Sequence, residues 1–323
     1  MKAIVFGTGS IGRRHIGSLR QIVPDCEIII VRNGAHEDDY SKQIGAIVIG
    51  SPKAALDLRP DLAVIATPSA LHIDALAPCM MTNLPIYLEK PAVTTNSDIS
   101  SISQLIANRG YDAPSQMGCN LRYLPAMQKT YDLARSGELG LIARASFQAG
   151  QYLPDWRPGT DCRLSYSADP KRGGGVIFDL IHEIDAACFL LGAFTDLHAF
   201  SARMEPLGIR SEAVATLILR GETGKPLVTI GLDYVSRQPL RKYDIVGTAG
   251  TLQLDLVKKR MILDTAKGRE ILSQDPADFD VAQTYVTAMS EFLNAISTRQ
   301  STSQDISVGL ETAALAIKAK AAL

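Results

Sequence analysis

The opening stretch, MKAIVFGTGSIGRRHIG, constrains this chain more than any other part of it. An apolar run from Ala3 to Phe6 meets Gly7, Gly9 and Gly12, the pattern of a short buried strand turning through G-x-G-x-x-G into a helix. Such a turn aims backbone N–H groups and the positive end of the helix dipole at an anion. Gly7 permits the tight turn, Gly9 lets a pyrophosphate approach the backbone, and Gly12 lets the helix lie against the strand. The plainer alternative is a glycine-rich turn that only packs, but a second apolar strand at Glu27–Val31 favours a dinucleotide. The candidate contacts are Gly7, Gly9, Ser10, Ile11 and Gly12.

A chain of 323 residues exceeds what one core usually supports. We expect a dinucleotide-binding domain over residues 1–119 and a second domain over 120–323. Lys and Arg number 33 against 34 Asp and Glu, so no global field draws the chain to nucleic acid or a membrane surface. The apolar run before Gly7 is too short for a signal peptide, and no run approaches the roughly 18 residues of a membrane span; the expected location is cytoplasmic. Cys26, Cys79, Cys119, Cys162 and Cys188 show no CxxC spacing, which argues for buried thiols over a disulfide framework or a metal site.

Ile11–Val23 reads as a helix stopped by Pro24, and CEIIIV as the second strand. About twenty residues past the glycines such a strand reaches the adenosine ribose. An acidic residue there would suit NAD; this chain has Arg32 and Asn33. Arginine suits a 2′-phosphate, so NADP is preferred and NAD is second, although an arginine stacked on adenine would serve either. Gly45–Ile49 reads as a strand and Ala54–Leu58 as a helix. Leu62–Thr67 reads as a strand buried on both faces, whose carboxyl end brings Thr67, Pro68 and His72 toward the cofactor; His72 reads equally as a surface histidine. Helix Ile73–Met80 leads to PIYLEKP, which ends in Glu89, Lys90 and Pro91. Lys90 could donate to a substrate oxygen and help move a proton, or simply pair with Glu89. A helix capped by Ser97 and a strand, Ser115–Cys119, close the domain.

Asn120 and Arg122 stand at the crossing into the second half, where a guanidinium could hold a substrate group or tie the domains together. After helix Ala126–Ser136, strands at Leu141–Gln148, Leu197–Met204, Ala213–Arg220, Leu227–Val235, Tyr243–Val246 and Thr251–Leu256 imply an α+β domain with a largely antiparallel sheet. GETGKP reads as a hairpin turn. The long loop after the first strand offers Tyr152, Trp156, Arg163 and Tyr166 as substrate contacts, or covers a subunit interface. VIFDLIHEIDAACFLLG reads as one helix with Asp179, His182 and Asp185 three apart on one side, a carboxylate-flanked proton shuttle or a packed histidine. Val281–Ile296 and Val308–Ala321 read as helices.

The ordered set of G-x-G-x-x-G with His15, TPSALH, EKP at 89 to 91 and GGGVIFDLIHEID at 173 to 185 resembles the Gfo/Idh/MocA oxidoreductases, which include glucose-fructose oxidoreductase and inositol dehydrogenase. The resemblance implies an α/β Rossmann domain followed by an α+β domain with a large, mostly antiparallel open sheet. It implies a catalytic Lys90 beside the nicotinamide, with Glu89 next to it. His182 and Asp179 would be catalytic partners, although two residues separate them here where the family's motif has three, so the carry-over bears on His182 more than on Asp179. It also implies a homo-oligomer, dimer or tetramer, formed through the sheet. The expected activity is hydride transfer between NAD(P) and a secondary alcohol carbon of a sugar, cyclitol or nucleotide sugar. His182 would take the hydroxyl proton while Lys90 holds the oxygen. A cofactor-binding sensor without turnover, and a lyase or hydrolase working through transient oxidation, are the other readings.

Overall fold

A computed structural model describes residues 1–221 and 226–321. The chain forms two compact units: residues 1–120 with 282–314, and residues 121–281 with the chain from Leu315 on.

In the first unit, β1 (Lys2–Phe6), β2 (Glu27–Val31), β3 (Ile47–Ile49), β4 (Leu62–Ile65), β5 (Ile86–Leu88) and β6 (Ser115–Met117) alternate with α1 (Ser10–Ile22), α2 (Asp39–Gln43), α3 (Pro52–Leu56), α4 (His72–Met81) and α5 (Asn96–Arg109). The strands make one parallel sheet in the order β3-β2-β1-β4-β5-β6. Ile4, Ile29, Leu62, Ile65 and Leu88 are completely buried, because helices cover both faces of such a sheet and leave no polar side to the strands. The strand order reverses at β1 and β4, so the turn after Phe6 and the segment after Ile65 emerge side by side, where an open α/β sheet binds its ligand.

Two glycines make that turn. Gly7 has φ +88°, and a Cβ on it would lie 2.5 Å from the Ala66 carbonyl oxygen. A Cβ on Gly12 would lie 2.0 Å from the Gly7 carbonyl oxygen, so only glycine lets α1 start this close to β1.

The tail corrects the expected division at residue 120. Helices α9 (Val281–Thr298) and α10 (Ile306–Lys320) contribute residues 282–314 to the first unit. β6 ends the sheet, and its open edge needs a cover. The tail supplies one: the Met117 N–H donates to the Gln304 carbonyl at 2.7 Å, the Ile306 N–H to Ser115 Oγ, and Thr302 Oγ1 to the Ser115 carbonyl at 2.6 Å. Phe292, fully buried, meets the Tyr87 ring edge-on.

In the second unit, α6 (Pro125–Ser136), α7 (Val176–Asp179) and α8 (His182–Leu191) accompany β7 (Ile142–Gly150), β8 (Asp196–Ala202), β9 (Val214–Arg220), β10 (Leu227–Asp233), β11 (Leu240–Gly247), β12 (Gly250–Asp255), β13 (Arg260–Thr265) and β14 (Gly268–Ser273). The sheet order is β14-β13-β12-β11-β7-β10-β9-β8, antiparallel except between β7 and β10. Alternate residues point inward, as in Ala145, Phe147 and Ala149 or Val228, Ile230 and Leu232, and pack with Ile177, Ile184 and Ala187 of α7 and α8. The β13–β14 hairpin was not expected from the sequence; β14 is largely exposed and carries little apolar alternation. The expected single helix over 176–191 is interrupted after Asp179, where Leu180 adopts φ −99°, ψ 32°. In the expected GETGKP turn, residues 222–225 lie outside the described residues; the strands flanking it pair antiparallel, with Leu227 opposite Arg220. Among the described residues no helix is long and apolar enough to cross a membrane.

Replacing Phe292 by Ala should destabilise the first unit by about 3–5 kcal/mol. Urea unfolding followed by circular dichroism should show the loss of stability.

Candidate functional site

In the first unit the chemistry gathers at the carboxyl ends of the strands. Gly9 caps α1 without a side-chain hydrogen bond, and a Cβ built on it meets nothing within 4 Å. Ser10 and Ile11 begin the helix beside this open approach. Arg32, at the end of β2, donates to the His36 carbonyl at 3.0 Å, to Thr8 Oγ1 at 2.8 Å and to Asp38 Oδ2 at 2.9 Å; Asn33 is exposed. Thr67 and Pro68 follow β4 half-buried, and the buried Thr67 hydroxyl has no hydrogen-bond partner among the described residues.

Lys90 is positioned through its neighbour. The Glu89 backbone N–H donates to Ile65 across the sheet. Its carboxylate accepts from His15 Nε2 at 2.6 Å and, on the other oxygen, from the Lys90 backbone N–H at 3.2 Å. His15 is completely buried; it stands one helical turn beyond Gly12, so α1 brings both the anion-binding turn and this imidazole to the same strand end. Gly118 leaves room for the carboxylate, since a Cβ there would come within 2.6 Å of Glu89 Oε1. Glu89, expected at the cofactor, therefore works as the brace of the EKP segment.

His72, also expected at the cofactor, is enclosed instead. It has no exposed surface. Its Nδ1 lies 3.0 Å from the Pro91 carbonyl and its Nε2 3.0 Å from the Thr67 carbonyl, so it links the segment after β4 to the one after Lys90. Burial pushes its pKa down, outweighing the carbonyls that favour the charged ring. No local pattern signals this, because the carbonyls that enclose the ring belong to loops.

Several expected substrate contacts also belong to the structure itself. Asn120 is buried and donates to Thr284 Oγ1 at 2.7 Å, tying the tail to the first unit. In the second unit, Arg122 is buried and donates from Nε and Nη2 to the two Asp185 oxygens, at 2.9 and 2.5 Å. Asp185, expected as a carboxylate flanking His182, is the partner of this guanidinium. Arg163 is exposed and folded back on Asp161, and the Tyr166 hydroxyl donates to the Gly173 carbonyl at 2.6 Å. Tyr152 lies under the Arg237 guanidinium, 3.7 Å from its ring centre.

Within the second unit a cavity of about 370 Å³ is lined by Gln151, Trp156, Asp179, Leu240 and Arg241, among others. Trp156 meets Tyr234 edge-on at 5.3 Å, and the Tyr234 hydroxyl donates to Asp179 Oδ2 at 2.6 Å. Burial, with Asp179 adding to it, holds the Tyr234 pKa far above the usual range, so the hydroxyl stays a donor. Arg241 is a residue that sequence reasoning missed. It pairs at 2.7 Å with Glu183, a carboxylate without exposed surface that also accepts from Tyr243. Glu183 sits between His182 and Ile184 in a largely apolar stretch, and its charge there was the signal for a buried partner. His182 starts α8 half-buried.

Family models match this chain over residues 1–112, as the oxidoreductase family with an NAD-binding Rossmann fold, and over residues 127–253, as the GFO/IDH/MocA C-terminal domain. The chain belongs to the Gfo/Idh/MocA family of oxidoreductases. It is 27% identical over 210 residues to a protein of Amycolatopsis mediterranei provisionally named as the oxidoreductase subunit of UDP-kanosamine synthase, covering 61% of this chain and 54% of that protein. The chain thus matches about half the length of that relative. It is 24% identical over 279 residues to an inositol 2-dehydrogenase of Mycolicibacterium gilvum, covering 80% and 74%. Its fold matches the crystal structure of an oxidoreductase from Agrobacterium radiobacter in complex with NAD+, L-tartaric acid and magnesium, with a TM-score of 0.83 and 21% identity over 100% of this chain and 96% of that one.

Replacing Arg122 by Ala leaves Asp185 buried without its partner and should cost about 3–5 kcal/mol of stability, read by urea unfolding. His72 gives a pH signature. With its folded pKa below the ordinary 6.5, the unfolded chain binds the proton first, so stability falls as pH drops below about 6.5 and is unaffected above it. The unfolding free energy of His72→Asn should fall less between pH 7 and pH 5.

Proposed function

We propose that this chain transfers hydride between a nicotinamide cofactor and a secondary alcohol carbon of a sugar, cyclitol or nucleotide-linked sugar, with NADP preferred over NAD. The observation that carries the reading is Lys90, held by the His15–Glu89 pair at the strand end that neighbours β4 in the sheet begun by the glycine turn.

The residues present fit a dinucleotide. The open approach at Gly9, the helix start without a side-chain cap and the unoccupied hydrogen-bonding capacity of Thr67 are what an extended phosphate-bearing ligand needs. Gly7, Gly9, Ser10, Ile11 and Gly12 would hold the pyrophosphate, Arg32 and Asn33 the adenosine ribose, and Thr67 and Pro68 the nicotinamide half. When bound, the nicotinamide accepts or returns the hydride. Lys90 donates a hydrogen bond to the reacting oxygen and stabilises its developing charge, while His182 takes the hydroxyl proton during oxidation. Trp156 and Asp179 offer an aromatic face and a hydroxyl acceptor for the rest of a polyol. The NADP preference rests on Arg32, whose guanidinium suits a phosphate in two-pronged contact.

The reading includes a homo-oligomer formed through the second unit's sheet, supported by the exposure of Phe200, Leu227 and Ile271. It also includes a cytoplasmic location, supported by five cysteines none of which is bridged in a disulfide.

Absorbance at the nicotinamide band, followed with sugars, cyclitols and nucleotide sugars, tests the activity. Lys90→Met should lower kcat/KM about a hundred- to ten-thousandfold and leave NADPH binding intact. A variant with near-normal kcat/KM would remove Lys90 from the chemistry.

A further inference from the structure

Arg32 ends β2 with its donors engaged and its side chain only 17% exposed. Asp38 supplies the one charged acceptor, at 2.9 Å. The same oxygen lies 3.9 Å from Arg13 Nη2. Arg13 is fixed in turn, donating from Nε to the Thr8 carbonyl at 3.0 Å and lying over the Tyr40 ring. The other Asp38 oxygen accepts the Ser41 N–H at 2.8 Å, and Ser41 Oγ accepts the Asp38 N–H in return. Asp38 is therefore anchored through the backbone, independently of either arginine. The Ser41 N–H first and Arg32 second hold its carboxyl down to about 2, so it is ionised whenever a nucleotide is bound.

The consequence concerns which nucleotide. A 2′-phosphate brings close to two negative charges and needs the guanidinium donors that Asp38 now occupies. A 2′-hydroxyl brings no charge and can donate to a carboxylate. We propose that Asp38 is a cofactor-selectivity residue, a built-in competitor for the Arg32 guanidinium that restrains the preference for NADP and keeps NAD usable. This rests on the reading of Arg32 as the adenosine-ribose contact. It assigns the discrimination to a pair, Arg32 attracting a 2′-phosphate and Asp38 opposing it, with Thr8 tying Arg32 to the glycine turn.

The test is titration of the purified protein with NADPH and with NADH, followed by nicotinamide fluorescence without substrate. Asp38→Asn keeps an acceptor for the Ser41 N–H and removes the charge; Asp38→Ser, another good helix cap, serves if the Asn variant does not fold. The expected result is NADPH affinity raised about tenfold with NADH affinity changed less than about twofold. Unchanged NADPH affinity, or equal strengthening for both cofactors, overturns the proposal. Arg32→Met separates the two levels. If it weakens NADPH about tenfold or more while the Asp38 variants change nothing, only the role of Asp38 fails. If it leaves both affinities as they were, the reading of Arg32 fails and the proposal with it.

Discussion

One buried carboxylate organises the carboxyl edge of the first sheet. Glu89 receives an imidazole from α1, the backbone N–H of Lys90 from its own strand end, and the bare Cα of Gly118 beside β6. A carboxyl group removed from water costs free energy unless its oxygens find hydrogen-bond partners. Because the partners come from different elements, Glu89 can be satisfied only when helix, strand and neighbouring loop are all in place. Lys90 inherits its position from that requirement. His72 does similar work from the far side of the loop, bridging Thr67 to Pro91.

The same logic explains why polar residues that looked available for ligands are absorbed by the protein. Arg122 neutralises Asp185, Arg241 neutralises Glu183, and Asn120 holds Thr284. Each buried charge meets a fixed opposite charge, as desolvation demands. What is left to face the second unit's cavity is a small set, chiefly Trp156, Asp179 and Gln151, together with the outer edge of Arg241.

The first unit was legible in the sequence wherever the cause is local. The glycine spacing fixes the turn, since Gly7 and Gly12 are five residues apart and touch, and the unbroken apolar runs fix strands buried on both faces. EKP was legible as a strand end bearing a lysine. What stayed hidden depends on distant partners: Thr302 reaches the Ser115 carbonyl across 187 residues, so nothing near either position says that the tail closes the sheet. Asp38 escaped notice because its importance comes from Arg32 folding back over a six-residue loop. The break after Asp179 escaped for the opposite reason: the apolar stripe through VIFDLIHEID continues smoothly, and only the packing of the second unit interrupts the backbone.

The return of residues 282–314 to the first unit bears on how the molecule is made. The sheet of the first unit leaves the ribosome before residues 282–314 do, so the edge of β6 and the Tyr87 side stay bare until that later segment has been translated. At ordinary elongation speeds of about 5–20 residues per second, that exposure lasts for many seconds. The sheet is thus finished only after the whole second-unit segment between its two parts has been made.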